Sequence, residues 1–160
     1  MKRYLTSLAV VACSWAGPLA AHPHVFVSTP GHVLAQRGHL SVEDLRPYDF
    51  IVREPGSGTR SAMEKFFVEA RVKPRLQIQL HSNETLKQAV MAGLGIGFIS
   101  LHTIGLELQH GLIALLDVEG APIVRAWNVV HTQSKMLSPA AEAFRYFMLE
   151  QGEAHLANQF

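Results

Sequence analysis

Apolar positions along the chain change period several times, and the changes mark its elements. Leu76, Ile78 and Leu80 alternate with Gln77 and Gln79, which predicts a strand with one buried face. Met63, Phe66, Phe67 and Ala70 recur at helical spacing and predict a helix from about Thr59 to Ala70. Continuous apolar runs predict buried strands at Tyr48–Val52, Ile96–Ile99, Leu112–Leu116 and Ile123–His131. His24–Ser28 reads as a further strand, broken by Thr29-Pro30-Gly31. Ser41–Leu45 is a short helix with Ser41 as cap and Asp44 at the reciprocal position. Ser82-Asn83 caps a helix with Leu86, Ala89 and Val90 as its buried stripe and Gly93 as its stop. His102–Leu108 is a short helix. Ser138-Pro139 opens a last one, with Ala141, Phe144 and Met148 facing a core and Gly152 ending it. Residues 152–160 are expected to form a tail. Strands separated by single helices predict parallel pairing and an α/β layered fold.

Composition narrows the function classes. Hydrophobic residues make up 48% and charged residues 17% of the 160, enough to build a core. Lys+Arg 14 against Asp+Glu 13 leaves a net charge of +1, which argues against a dedicated nucleic-acid surface. Cys13 is the one cysteine, so neither an internal disulfide framework nor a CxxC site is available. No apolar run reaches the ~18 residues of a membrane span. Lys2 and Arg3 precede the apolar run Leu8–Cys13, and Ser14-Trp15-Ala16 has the small-residue spacing of a signal-peptidase site. The alternative for this segment is a short strand at Leu8–Ala12 followed by a Gly17-Pro18 turn.

Chemistry concentrates at two helix starts. Arg53-Glu54-Pro55-Gly56-Ser57-Gly58-Thr59-Arg60 leaves a buried strand and leads straight into a helix. Its glycines let the backbone turn tightly, and Ser57 and Thr59 set hydroxyls beside unpaired helix N–H groups. This is an anion site in pattern. Arg60 lies in the first turn, where a cation opposes the helix macrodipole, so a negative ligand or a carboxylate has to balance it. A capped glycine turn with Arg60 in an ordinary salt bridge accounts for the same residues. The stretch lacks the Gly-Lys-Ser/Thr of a phosphate-binding P-loop, and Pro55 breaks a hydrolase nucleophile elbow around Ser57. At the second start, Ser82 and Asn83 can offer polar groups to the same ligand, or simply cap their helix. Gly93-Leu94-Gly95-Ile96-Gly97 lies between helix and strand, the wrong order for a dinucleotide site. His22 and His24 point to one face of a strand with no third ligand nearby in sequence, and the other histidines are scattered, so no metal is expected. No nucleophile–base motif is present; we expect no catalytic residues and no cofactor.

The run Asp49 to Arg60 (DFIVREPGSGTR) and the run Ser82 to Gly97 (SNETLKQAVMAGLGIG) resemble the effector-binding domain of LysR-type transcriptional regulators. Pro122 to Trp127 (PIVRAW) and Leu137 to Ala141 (LSPAA) fit the same pattern in the same order. The resemblance covers about Pro18 to Leu149 and is nearest the branch regulating RuBisCO operons. It implies an α/β, periplasmic-binding-protein-like (type 2) fold of two lobes, one nearly complete and the other partial. Residues 28–131 would be the second lobe, residues 18–27 and 132–151 a remnant of the first, and residues 1–17 unmatched. It also implies a non-enzymatic, cytoplasmic effector-sensing module of carbon-fixation regulation without its own helix-turn-helix, a truncated form of the family. Its ligand would be a small anionic metabolite (a phosphorylated sugar, phosphoglycolate or an NADPH-like effector) held by Ser57, Gly58, Thr59 and Arg60, with Ser82 and Asn83 behind them. No direct DNA contact is expected of this chain, which would act as a homo-oligomer or with a full-length regulator. The competing expectation is an exported, periplasmic solute-binding protein of the same fold.

Overall fold

The computed structural model describes residues 13–132 and 136–157. The strand expected at Leu8–Ala12 and the basic start of the signal-like segment lie outside these residues. Among the described residues the strands of the sheet are β1 (Cys13–Ser28), β2 (Asp49–Arg53), β3 (Arg75–Leu80), β4 (Ile96–Ser100), β5 (Ala114–Leu116) and β6 (Ile123–Thr132). Their order is β3-β2-β4-β1-β5, and β6 pairs with β1. The α-helices are α1 (Gly58–Glu69), α2 (Asn83–Met91), α3 (Gly105–Gln109) and α4 (Pro139–Ala157). Residues His22–Arg125 form one compact unit; the flanking segments, up to Ala21 and from Ala126, form a second.

Within the His22–Arg125 unit, β2 runs parallel to β3 and to β4, as βαβ crossovers through α1 and α2 require. The expectation of parallel pairing throughout fails at β1, which is antiparallel to β4 and β5. The direction of β1 is set by its pairing with β4 and β5, with Phe26 opposite both Phe98 and Leu116. The turn expected at Gly17-Pro18 is likewise absent: β1 continues through it, since an extended strand tolerates proline where no ladder N–H is needed.

Both faces of the central strands are buried, which explains why they read as unbroken apolar runs. Phe26, Phe50, Phe98 and Ile96 pack with Met63 and Phe67 of α1 on one face. Val25, Val27, Ile51 and Ile99 pack with Leu86, Ala89 and Val90 of α2 on the other. The glycines before and within β4 permit this close layering. A Cβ on Gly95 (φ +155°) would lie 2.6 Å from the Asp49 carbonyl oxygen, and one on Gly97 2.7 Å from Val90 Cγ2. β3 closes the sheet as an edge strand: Leu76 is exposed, while Ile78 and Leu80 are half-buried, so Gln77 and Gln79 mark solvent contact. Ser41 and Asp44 form the expected reciprocal cap, over a 3-10 turn at Val42–Leu45.

Two helices differ from expectation. The helix expected at His102–Leu108 divides into a 3-10 turn, Leu101–Thr103, and α3, because buried Ile104 adopts φ −123° and interrupts the ladder. In the second unit, α4 continues to Ala157 instead of stopping at Gly152, so the expected tail is helical up to that residue. Glycine inside a helix costs about 1 kcal/mol and does not by itself end one. The Ser138 cap is present, its hydroxyl accepting from Ala141 N–H at 3.3 Å. The expected core face of α4 is only partly buried: Met148 is half-buried, but Ala141 and Phe144 are exposed. Among the described residues this unit supplies β-strand ends and one helix.

Candidate functional site

β2 ends at Arg53, and a turn closed by Ser57 N–H to the Glu54 carbonyl (3.1 Å) turns the chain into α1. Gly56, at φ +91°, supplies the left-handed conformation this turn needs. Ser57 holds the N-cap position without a hydrogen bond from its hydroxyl to the helix, so the first amides of α1 carry no side-chain cap. Those amides are the positive end of the helix dipole.

Side chains from β1, β4, the 3-10 turn after β4, and β6 reach this corner within the same unit. Thr59, in the first turn of α1, has its hydroxyl 3.3 Å from Nε2 of His24 on β1. The His24 Nδ1–H donates to the His22 carbonyl at 3.2 Å. The His22 and His24 rings meet edge to face at 4.6 Å between centroids, and His102, on the 3-10 turn after β4, lies 5.4 Å from His22. Phe98 of β4 stacks on His24 at 5.5 Å, and His24 is only 2% exposed. Arg125, near the start of β6, brings its guanidinium to the helix start: a Cβ on Gly58 would lie 2.8 Å from Nη1. Glycine at position 58 is therefore what lets the guanidinium approach the α1 backbone. Gly58 and Arg125 also border a cavity of about 540 Å³ along the outer side of α1, floored by Ala62 and Phe66.

Burial, reinforced by neighbouring groups of cationic type, disfavours protonation of both strand histidines. Burial, and then repulsion from His24, His102 and Arg125, lowers the His22 pKa to about 4. Burial also lowers that of His24, against the opposing hydrogen bond to the His22 carbonyl, with Arg125 and His102 adding to the drop. The unfolded chain takes up protons near pH 6.5, whereas folded His22 resists until about pH 4. The pair therefore leaves stability unaffected above that window and costs stability as the pH falls through it. Urea midpoints measured between pH 7.5 and pH 4.5 are expected to decline, and His22→Asn is expected to flatten the decline.

The residues singled out from the sequence are placed as follows. Ser57, Gly58 and Thr59 stand at the corner itself. Arg60 is turned the other way, pairing with Glu64 (2.7 Å) and donating to the Arg53 carbonyl (3.1 Å) and Gln79 Oε1 (3.0 Å). Ser82 caps α2, accepting from Thr85 N–H at 3.1 Å. Asn83 Oδ1 accepts from Arg53, whose guanidinium also pairs with Glu54 at 2.9 Å. These contacts tie the end of β2 to both helix starts. The residues not singled out as ligand groups are His22, His24, His102 and Arg125. The His-Pro-His run was a visible signal, but its partners come from elements far away in sequence. Among the described residues, no group of three His, Cys, Asp or Glu is arranged to hold a metal ion.

A family model, the LysR substrate binding domain, matches residues 15–153. This chain belongs to that family. The LysR domain is 50% identical over 143 residues to the HTH-type transcriptional regulator CfxR of Cupriavidus necator, covering 89% of this chain and 45% of CfxR. It is 47% identical to the RuBisCO operon transcriptional regulator of Allochromatium vinosum, covering 81% of this chain and 43% of the relative. The chain thus spans less than half the length of these relatives. Among solved structures, the CcmR regulatory domain of Synechocystis, in complex with 2-PG, superposes with a TM-score of 0.81 at 32% identity, over 88% of this chain and 67% of that one. The effector-binding domain of QuiR in complex with shikimate, at 23% identity and a TM-score of 0.77 over 89% of this chain and 66% of that one, shows the same fold. The fold of this LysR domain is therefore the periplasmic-binding-protein-like α/β type, and the small-molecule domain is the part of the family's architecture that these residues supply. Among the described residues of the LysR domain, no helix is long and apolar enough to cross a membrane.

Proposed function

We propose that this chain is the effector-sensing part of a cytoplasmic, non-enzymatic regulator of carbon-fixation genes, and that it binds a small anionic metabolite at the start of α1. The observation that carries this reading is the Arg125 guanidinium lying against Gly58, beside a helix start without a side-chain cap. Backbone amides, the Thr59 hydroxyl and a guanidinium are the donor set that phosphate and carboxylate groups require. The named relatives are transcriptional regulators, one of them of a RuBisCO operon, and the related CcmR domain was solved with 2-PG. These relatives favour regulation over the exported solute-binding alternative.

In this reading Ser57, Gly58 and Thr59 contact the ligand directly. Arg60, Ser82 and Asn83 act behind them by holding the end of β2 and the two helix starts in place. Phosphorylated sugars and NADPH-like effectors share the required anionic group with phosphoglycolate. The active assembly is a homo-oligomer or a complex with a full-length regulator. To test the site, phosphoglycolate is titrated into the 160-residue chain and followed by calorimetry and amide resonances. The expected result is saturable binding with the largest shifts at Gly58 and Thr59. Binding that leaves both amides unmoved would place the ligand elsewhere.

A further inference from the structure

The hydrogen-bond chain from His22 through His24 to Thr59 fixes where the protons lie. A carbonyl can only accept, so the 3.2 Å contact with His22 requires His24 to carry its proton on Nδ1. Neutral His24 therefore presents a bare Nε2 to Thr59, and the Thr59 hydroxyl spends its single proton on that nitrogen across 3.3 Å. In this state Thr59 offers only lone pairs to a ligand at the α1 start, the wrong polarity for an anion. Protonating His24 reverses the bond. Nε2–H then donates to Thr59 Oγ1, and the hydroxyl proton is free to turn toward the ligand.

We propose that the corner binds a dianion together with a proton: His24 takes one proton from solvent, and Thr59 thereby becomes a donor to the ligand. This deepens the anion-site reading above and rests on it. Among the described residues, the titratable or charged groups that act on His24 are of cationic type: His22 on its own strand, His102 on the turn after β4, and Arg125 on β6. The other neighbours, Thr59 of α1 and Phe98 of β4, carry no charge. An empty corner thus opposes a further positive charge, and an entering anion removes that opposition. The depressed basicity of both strand histidines agrees with this arrangement. Arg125 and protonated His24 together match two negative charges, which favours a dianion over a monoanion. His24 is a positioning residue here, acting on the ligand through Thr59.

The test needs a ligand whose own charge is constant. Phosphoglycolate is unsuitable alone, because a phosphate monoester titrates near pH ~6. Sulfoacetate stays doubly negative throughout the neutral range and serves as the probe. Calorimetry of the whole chain at pH 6, 7 and 8, in buffers of different ionisation enthalpy, reads both affinity and protons taken up. Binding is expected to tighten by roughly three- to tenfold for each unit the pH falls while His24 is neutral in the free protein, with up to about one proton absorbed per ligand. His24→Gln places a permanent N–H donor against Thr59 and is expected to flatten the pH profile and abolish proton uptake. Thr59→Val is expected to weaken binding and leave it without the coupling.

The wild-type proton count decides the matter even if a variant folds poorly. Sulfoacetate binding that depends on Arg125 but shows equal affinity at pH 6 and 8, with no proton uptake, overturns the coupling and leaves the anion site standing. Failure of both sulfoacetate and phosphoglycolate to bind, or binding indifferent to Arg125→Gln, removes the site and the coupling together.

Discussion

Arg125→Gln is expected to weaken phosphoglycolate binding by about 10- to 100-fold, the equivalent of one lost charge-assisted contact of roughly 1.5–3 kcal/mol. Glutamine keeps a hydrogen-bond donor of similar reach but removes the charge and the planar fork that grips two oxygens at once. Because Arg125 is exposed, its replacement should move stability by no more than about 0.5 kcal/mol, so a thermal melt separates lost binding from lost folding. Gly58→Ala is the complementary probe at the same contact. Its added carbon would sit 2.8 Å from the Arg125 Nη1 atom, and the long side chain has to withdraw. Calorimetry showing wild-type affinity in Arg125→Gln would mean that the guanidinium does not hold the ligand.

Phe26→Ala is expected to cost about 3–5 kcal/mol of stability, the range for emptying a buried aromatic site. Phe26 is fully buried in β1, and its ring contacts four others: Phe98 at 4.9 Å, Phe66 at 5.3 Å, Phe67 at 5.8 Å and Phe50 at 6.2 Å between centroids. These rings come from β1, β2, β4 and α1, so the cavity would open where the sheet meets the helix of the proposed site. A loss that large consumes much of the ~5–15 kcal/mol available to a small domain. Urea denaturation checks it: the midpoint should drop steeply at nearly constant slope. A loss below about 1 kcal/mol would show that the aromatic cluster closes over the gap.

How far the sequence could be read depended on whether a signal was local. Leu86, Ala89 and Val90 declared the buried side of α2 by spacing alone, and Ser41 with Asp44 declared a cap, because both patterns are complete within one element. The alternation at Leu76, Ile78 and Leu80 announced a strand with one buried face, which holds for half-buried Ile78 and Leu80 but not for exposed Leu76. The direction of β1 was not legible, since strand polarity is set by pairing with β4 and β5 and leaves no trace in composition. The helix start at Gly58–Thr59, proposed above as an anion corner, was singled out from its glycines and hydroxyls. Its cation was not: Arg60, next in sequence, lies within reach of Glu64 and Gln79, whereas Arg125 arrives from a strand begun 65 residues after Gly58. His102 was hidden in the same way, because its nearness to His22 depends on how β1 and β4 align.

The chain passes between its two units at the Ala21–His22 and Arg125–Ala126 peptide bonds, so the boundary residues of the larger unit are His22 and Arg125 themselves. Anyone excising that unit as a minimal fragment has no margin at either seam. A cut made one residue further in would remove the His22 imidazole at one end or the Arg125 guanidinium at the other. Fragment design should therefore carry several flanking residues on each side.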